Sequence, residues 1–438
     1  MKKKHSFFLI FFLVFISAAF PQLKQANKYY ENYDYAKAIP LYKKVVKKKE
    51  NIEALEKLAN SYRLVKDYQN AEIYYARLVK NVGIPPINYF YYGNVLKNNN
   101  KIDESKEQYK QYAAFTKDEK KAEQLIKSVD EVKIWFTNSQ AFEVSLLPNI
   151  NTSRSEFSPV IFKNQLVFCS AKSTDLVNDN RDTWDDQPYL NVLSSEYKIA
   201  EDGTLTFSKK AKSFSWRINS EYHDGPACFN AEQNTMYITR VNYILNKKDK
   251  NFVNRPKLYV SKLKGNNWGE LMPFAYNSDL YTVQHPSINA EGDMLYFSSD
   301  MPGGFGGMDI YVCRKNGEGW STPENLGADI NTAGNEVFPY VRKDGMIYFS
   351  SDGHNGFGGL DIFSAAKVDK TSYEVKNLGA PLNASTDDFG IFYTDDYHKG
   401  YFSSNRKGGK GSDDIYTFNS LKKFIAVSGK VLLSENIN

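Results

Sequence analysis

Glycine and aspartate recur together three times, in "YFSSDMPGGFGGMDIYV" from Tyr296, "YFSSDGHNGFGGLDIFS" from Tyr348 and "YFSSNRKGGKGSDDIYT" from Tyr401. Such a pairing has two chemical uses. Glycine-rich loops offer bare backbone amides to phosphate, and they do so between a strand and a helix N-terminus. Aspartates in a G-G-x-G-x-D-x string bind calcium when the copies follow in immediate tandem. Neither pattern is met. A strand-like run, "DIY" or its equivalent, follows each loop where a helix would be needed. "GGKGSDDIY" fits the calcium string once, "GGFGGMDIY" sets Asp309 one residue late, and the copies stand 52 and 53 residues apart. The expectation is architectural. Gly307, Gly359 and their neighbours supply positive φ for a tight turn between strands, and Asp309, Asp361 and Asp414 bond amides of that turn. A structural calcium at one of these aspartates is the subsidiary reading, and no cofactor is expected. Ser299, Ser351 and Ser404, each preceded by a second serine, are expected near a crowded axis where larger side chains would clash.

Other reactive residues form no catalytic pattern. A glycosidase needs two carboxylates about 5–9.5 Å apart across a pocket, and Asp185, Asp186, Asp224, Asp300 and Asp352 are available. Asp300 and Asp352, however, occupy equivalent slots of a repeat, as structural residues do. No G-x-S-x-G or H-E-x-x-H is present. His223 in "EYHDGPACF" and His285 in "VQHPSI" read as turn or axis residues. Trp268 and Trp320 share a repeat slot and suit packing between repeats, whereas Trp184 and Trp216 fall outside it and are the better sugar platforms. Cys169, Cys228 and Cys313 are an odd, scattered set, which argues for buried free thiols over disulfides or zinc.

The repeat that carries these residues extends over 142–420. Short Tyr/Phe/Val/Ile runs alternate with Asp-Gly, Asn-Gly and Pro turns. "WSTPENLGADIN" from Trp320 has a partner in "YEVKNLGAPLN" from Tyr373, and "LVFCSAK" at Leu166 and "MYITRVN" at Met236 fill the "LYFSSDM" slot. Five units of about four strands each predict a β-propeller, or six if the insertion Ser170–Asp186 holds strands. "FEVSLLPNIN" from Phe142 resembles an element that ends a unit, yet it precedes the first. It is therefore expected to close the ring by completing the last blade.

Ahead of it, residues 23–135 carry a helical repeat. Ala26, Ala59 and Gly93 lie 33 and 34 residues apart, each followed at +3, +12 and +16 by Tyr29, Ala38 and Tyr42, by Tyr62, Ala71 and Tyr75, and by Leu96, Ser105 and Tyr109. Period and small/aromatic alternation are those of tetratricopeptide repeats, helical hairpins that bury their apolar faces only by stacking. Asp118–Trp135 reads as a capping helix. The fold class is thus an α-solenoid of three such repeats followed by a propeller.

At the N-terminus Lys2–Lys4, the apolar run Phe7–Phe20 and the small residues Ser17–Ala19 read as an export signal spanning 1–22. No cysteine near the cut offers a lipid anchor. The chain carries +5 overall, but 23–135 hold 22 basic against 15 acidic side chains and 136–438 hold 31 against 36. Neither module concentrates the positive charge that a nucleic-acid binder needs.

"YFSSD…GFGGMDIY" with "WSTPENLGADIN" resembles the exported WD-repeat-like, TolB-like propeller repeats. Joined to tetratricopeptide repeats, it is similar to the modular periplasmic proteins of Bacteroidota that carry an OmpA-like domain, some of which serve type IX secretion. In that family the propeller leads into a carboxypeptidase regulatory-like β-sandwich and then a peptidoglycan-binding domain. "FIAVSGKVLLSENIN" (424–438) resembles the opening of such a sandwich, and a longer chain is expected, because a bare strand pair is poorly stable. The resemblance implies a non-enzymatic periplasmic scaffold at the outer membrane. Its partners would be barrel or secretion-complex proteins, with peptidoglycan bound only through a domain beyond these residues. A carbohydrate-binding or glycoside-hydrolysing propeller is the alternative.

Overall fold

The computed structural model describes residues 20–137, 142–172, 181–199, 205–208, 210–242, 253–369, 372–394 and 397–421. The export segment before Phe20, part of the long insertion (173–180) and the sandwich opening at 424–438 lie outside the described residues.

Seven helices come first: α1 (Phe20–Glu31), α2 (Tyr35–Lys48), α3 (Ile52–Leu64), α4 (Tyr68–Leu78), α5 (Ile87–Asn98), α6 (Ile102–Thr116) and α7 (Glu119–Thr137). Asp34 caps α2 by accepting from Lys37 N, Asn51 caps α3 through Ala54 N, and Asp67 caps α4 through Asn70 N. Each satisfies an amide that the first helical turn leaves unpaired. The turns inside the hairpins are made by Tyr33, Lys66 and Asn100, all left-handed with φ of 61, 63 and 60°. Ala26 and Ala59 are fully buried, and a Cβ at Gly93 would lie 2.5 Å from the Tyr109 ring. The helices of a hairpin therefore meet through their small residues. Tyr42, Tyr75 and Tyr109 fill the space beside them. Their hydroxyls donate to Asn27, Asn60 and Asn94 Oδ1 at 2.8, 2.7 and 2.7 Å, the same bond made once per repeat.

Five antiparallel sheets follow as the blades of a closed propeller. Inner strands are Glu156–Phe162, Asp224–Phe229, Val283–Ile288, Glu336–Val341 and Asp388–Tyr393, in blades 1 to 5. The fifth sheet is completed by Phe142–Leu146, which pairs with Asp414–Ser420 from Phe142↔Ser420 to Leu146↔Tyr416. The strand that enters the domain thus closes its last blade, and the count is five, not six. Apolar clusters fill the gaps between neighbouring blades, including Phe162, Phe214, Phe229 and Trp268 between blades 1 and 2. Trp320 packs on Tyr237 across the next gap. The three thiols are unpaired, with Cys169 and Cys313 buried.

Every inner strand bulges at a left-handed residue: Ser158, Gly225, His285, Phe338 and Gly390. Proline follows in four blades, as Pro159, Pro226, Pro286 and Pro339. A bulge lacks the ladder bond that proline cannot make. The amides of Ser158 and His285 instead donate to the neighbouring blade, at Ser403 Oγ and Thr239 Oγ1, both 2.9 Å. The serine pairs sit on the second strand of blades 3, 4 and 5, next to the inner strands that surround the axis, and are buried against their own and neighbouring inner strands. Ser299 Oγ donates to Thr282 O at 2.6 Å, Ser351 Oγ to Glu336 Oε1 at 2.6 Å, and Ser404 Oγ accepts from Arg406 Nε at 2.9 Å.

Candidate functional site

The glycine loops turn inward on their own aspartates. Asp309 Oδ2 accepts from Phe305 N at 2.6 Å and Asn325 Nδ2 at 2.8 Å. Asp361 Oδ2 accepts from Gly358 N at 3.1 Å, and Asp414 Oδ2 from Lys410 N and Gly411 N at 2.7 and 3.0 Å. Burial raises the carboxyls of Asp361 and Asp414 above the usual range; at Asp361 the Lys97 ammonium opposes this. The glycines are needed for a reason other than the expected one. Gly303 and Gly408 have positive φ, but Gly307 and Gly359 do not. A Cβ at Gly307 would lie 2.4 Å from Asn335 Oδ1 and one at Gly359 1.9 Å from Asp387 Oδ1. The loop is bare because the next blade's loop lies directly against it. Among the described residues no group of three or more His, Cys, Asp or Glu side chains could hold a metal ion.

A second acidic series stands where the inner strands begin. Glu156, Asp224, Glu336 and Asp388 each accept from the amide four residues upstream, at Thr152, Ser220, Thr332 and Ala384. Their other partners are Ser170, Arg240, Ser351 and Arg406. Burial raises all four carboxyls. Four of five blades use the same device, and each oxygen pair is engaged by its own blade. Asp300 and Asp352 of the sequence reading are also engaged by neighbouring residues. Asp300 accepts from Thr282 N and pairs with Arg255, while Asp352 binds Asn335 through its backbone and side-chain nitrogens.

At the axis lies a cavity of about 50 Å³ lined by four of the bulged residues, Ser158, His285, Phe338 and Gly390, and by the four prolines. His285 stacks on Phe338, with ring centroids 3.7 Å apart, and accepts from Phe338 N at 3.3 Å. Burial pushes the imidazole down to about 3. Small-molecule sites commonly enclose about 300–1,000 Å³, so this cavity is smaller than such a site. His223 lies off the axis, its Nε2 3.0 Å from Asp182 Oδ2.

Functional character concentrates instead on the helical array and its seam with the propeller. The hairpin turns dock on one end of the propeller. Trp184 stacks on Tyr33, meets Tyr35 edge-on at 4.9 Å and donates its indole N–H to Leu64 O at 3.2 Å. Lys66 Nζ reaches Asp387 Oδ2 at 3.0 Å, and Lys97 Nζ donates to Gly356 O at 3.4 Å. Helix α7, read from sequence as a cap of the array, also buries Val132 against Phe357 and Ala380 of the propeller. Trp184 is therefore a seam residue and not a free platform, whereas Trp216 is 76% exposed and carries Arg217 against its ring.

The first helices of the three hairpins, α1, α3 and α5, bring together a set of charged, amide and aromatic side chains that reaches the seam through the Tyr30–Tyr35 contact. Arg63 lies 4.0 Å from the centre of the Tyr91 ring, Lys57 lies 5.6 Å from that of Tyr30, and Glu53 and Glu56 accept from Asn27 and Asn88 at 2.7 and 2.9 Å. Burial raises the Tyr30 phenol, with the Arg63 guanidinium opposing. Paired charges, amides and aromatic faces shared between successive hairpins suit an extended peptide. Sequence reasoning named Tyr29 and Tyr62 as packing residues, and Tyr62 is buried. It missed Arg63 and Tyr91, whose only signal was their place one residue and two residues to the side of the repeat positions at Tyr62 and Gly93.

No protein-family model matches the chain, and no curated protein does. Among solved structures, the helical part is similar to the first tetratricopeptide domain of Spaghetti (RPAP3), solved with an HSP90 peptide. That likeness has 20% identity and a TM-score of 0.24, over 26% of this chain and 90% of the other. The propeller is similar to a TolB-type protein of Agrobacterium tumefaciens (14% identity, 60% and 77% covered, TM-score 0.33). It is also similar to a protein of unknown function from Dyadobacter fermentans (12%, 64% and 99%, TM-score 0.38). The chain combines a tetratricopeptide-like array with a five-bladed propeller.

Proposed function

We propose that this protein is a non-enzymatic scaffold of the periplasm, working at the inner side of the outer membrane in a type IX secretion or gliding-type complex. The observation that carries the scaffold reading is the seam. Three successive hairpin turns are pinned to the propeller through Trp184, Lys66 and Lys97, and Tyr30, Arg63 and Tyr91 on the first helices of the same hairpins are the residues assigned to a partner. Two interaction modules are thereby presented at one fixed angle, which is what an adaptor between two proteins requires. A small axial cavity, and inner-strand acids whose oxygens are engaged by their own blades, support the non-enzymatic part. Among the described residues no helix is long and apolar enough to cross a membrane. Export and the outer-membrane setting rest on the N-terminal signal pattern and on the family resemblance.

The test is recovery of partners from cross-linked cell envelopes by the tagged full chain and by an Arg63→Ala/Tyr91→Ala variant. Outer-membrane barrel or secretion proteins recovered by the former and lost by the latter support the scaffold. Recovery of glycans alone overturns it in favour of a carbohydrate-directed propeller.

A further inference from the structure

The array has two ends. Its hairpin turns meet the propeller through Tyr33, Lys66 and Lys97. The links between hairpins, 49–51 and 79–86, lie at the other end, because α2 and α4 run away from those turns. At about 1.5 Å per residue, the 14 residues of α2 set its last turn about 21 Å from the seam.

Charge collects at this far end. Lys44, Lys47, Lys48 and Lys49 close α2, Lys80 follows α4, and all five are exposed. The pair of Arg77 with Glu50, at 2.6 Å, ties the end of α4 to the link after α2 and so brings both groups of lysines to one place. Among the described residues none of the five has a carboxylate partner, whereas the nearby acids are spent, Glu50 on Arg77 and Glu53 on Lys57 at 3.3 Å. Apolar side chains stand out beside them. Val82, in the second link, is 97% exposed, and Ile52, also exposed, opens α3. The third link repeats the pairing with Phe115 and Lys117, but Asp118 and Glu119 offset its charge.

Unpaired lysines interleaved with projecting apolar tips are the composition of a surface that lies on an anionic bilayer. The ammonium groups meet the headgroup phosphates, and the tips enter the boundary beneath them. A row of loop tips offers a protein partner no groove to fill, whereas a bilayer requires only that the tips reach it. Nor does the rest of the chain cancel the field. Residues 136–438 hold 31 basic against 36 acidic side chains, but about 21 Å is more than two Debye lengths of about 8 Å at physiological salt.

We propose that the link end of the array is a foot that binds an anionic phospholipid surface. Lys44, Lys47, Lys48, Lys49 and Lys80 lie on the headgroups, Val82 and Ile52 enter the boundary, and the acidic propeller is held away from the membrane at the other end of the helices. This goes beyond the scaffold reading, which does not require it.

The experiment is co-sedimentation of the full chain, after export, with vesicles of phosphatidylcholine alone and of phosphatidylcholine mixed equally with phosphatidylglycerol. Partitioning is expected on the mixed vesicles only, and it should fall as added salt screens the exposed charges. A lysine at an anionic surface is worth about fivefold in partitioning, so Lys47→Gln/Lys48→Gln should weaken it roughly 25-fold. Lys262→Gln/Lys264→Gln removes the same charge from exposed positions of blade 2 and should leave it unchanged. Val82→Ser should weaken it about fivefold. Circular dichroism establishes that the variants are folded. Equal binding to neutral vesicles, or equal loss in the two lysine pairs, overturns the proposal. So does binding that ignores Val82→Ser and is matched by soluble polyglutamate, the mark of an acidic protein partner. Failure here is distinct from failure of the envelope pull-down, since Arg63 and Tyr91 are intact in every one of these variants.

Discussion

Trp184→Ala should uncouple the two modules. Trp184 retains 38% exposure, so of the about 250 Å² that a large aromatic can bury, roughly 150 Å² is covered. At about 25 cal/mol per Å² that is worth roughly 4 kcal/mol. Trp184 also contacts its own loop, whose Asp182 accepts from its backbone N–H, so only about half of that area term belongs to the seam. The indole N–H bond to Leu64 O adds about 1 kcal/mol, and the edge-on contact with Tyr35 about as much again. The substitution should therefore remove about 3–4 kcal/mol of coupling. In the native chain the array and propeller should unfold in one transition, because a module held by such a seam gains stability from its neighbour. In the variant the helices should melt first, roughly 12–32 °C lower, given about 4–8 °C per kcal/mol for a module of this size. Far-ultraviolet circular dichroism follows the helices, and calorimetry resolves the propeller. Trp184→Phe, which keeps the ring contacts and loses the N–H bond, should fall between. A variant that melts like the native chain would show that the seam is incidental, and the fixed angle between modules would fall with it.

Tyr75→Phe removes a hydroxyl that donates to Asn60 Oδ1 at 2.7 Å in a fully buried setting. It should cost about 1 kcal/mol, read as a lower urea midpoint of the helical signal. Gly306→Ala should cost more than about 2 kcal/mol in propeller stability, because its Cβ would meet Thr332 O at 2.4 Å, and backbone does not yield. His285 is held neutral by burial, down to about 3, against about 6.5 in an unfolded chain. Its contribution is fully present above about 6.5 and is lost as pH falls toward 3, since the unfolded state takes up the proton first. His285→Gln should therefore flatten the acid limb of propeller stability, measured as denaturant midpoints at neutral pH and near pH about 4.

Both modules were legible because each repeats itself. Ala26, Ala59 and Gly93 announce the hairpins, and Tyr296, Tyr348 and Tyr401 announce the blades. The displaced "FEVSLLPNIN" revealed the closure, since a strand that ends a unit must find one to end. What repetition could not show is what happens once. Lys66 and Asp387 meet across 321 positions, and nothing around Trp184 in sequence points to Tyr33 or Leu64. The glycines were read as conformational when most are steric, because the neighbouring blade's loop that excludes a Cβ is invisible in the local string. The inner-strand bulges did leave a trace. "SP", "GP", "HP" and "FP" begin four blades, but a proline inside a strand reads as a break until a bulge is known to accommodate it.

The clasp of the ring has a mechanical side. Phe142 pairs with Ser420 at the same end of the ladder, and Leu146 pairs with Tyr416 at the other. A load applied between the residues just before Phe142 and those just after Ser420 would therefore not shear five pairs together. It would peel them in turn, beginning at Phe142↔Ser420, as a zipper opens, and the edge-on contact of Phe142 with Phe418 would part early. Blade 5 thus behaves as a fuse: under tension it yields before the other four sheets, each of which is continuous in sequence. Single-molecule stretching with handles at those two points should show a low-force opening of this one strand ahead of any other event.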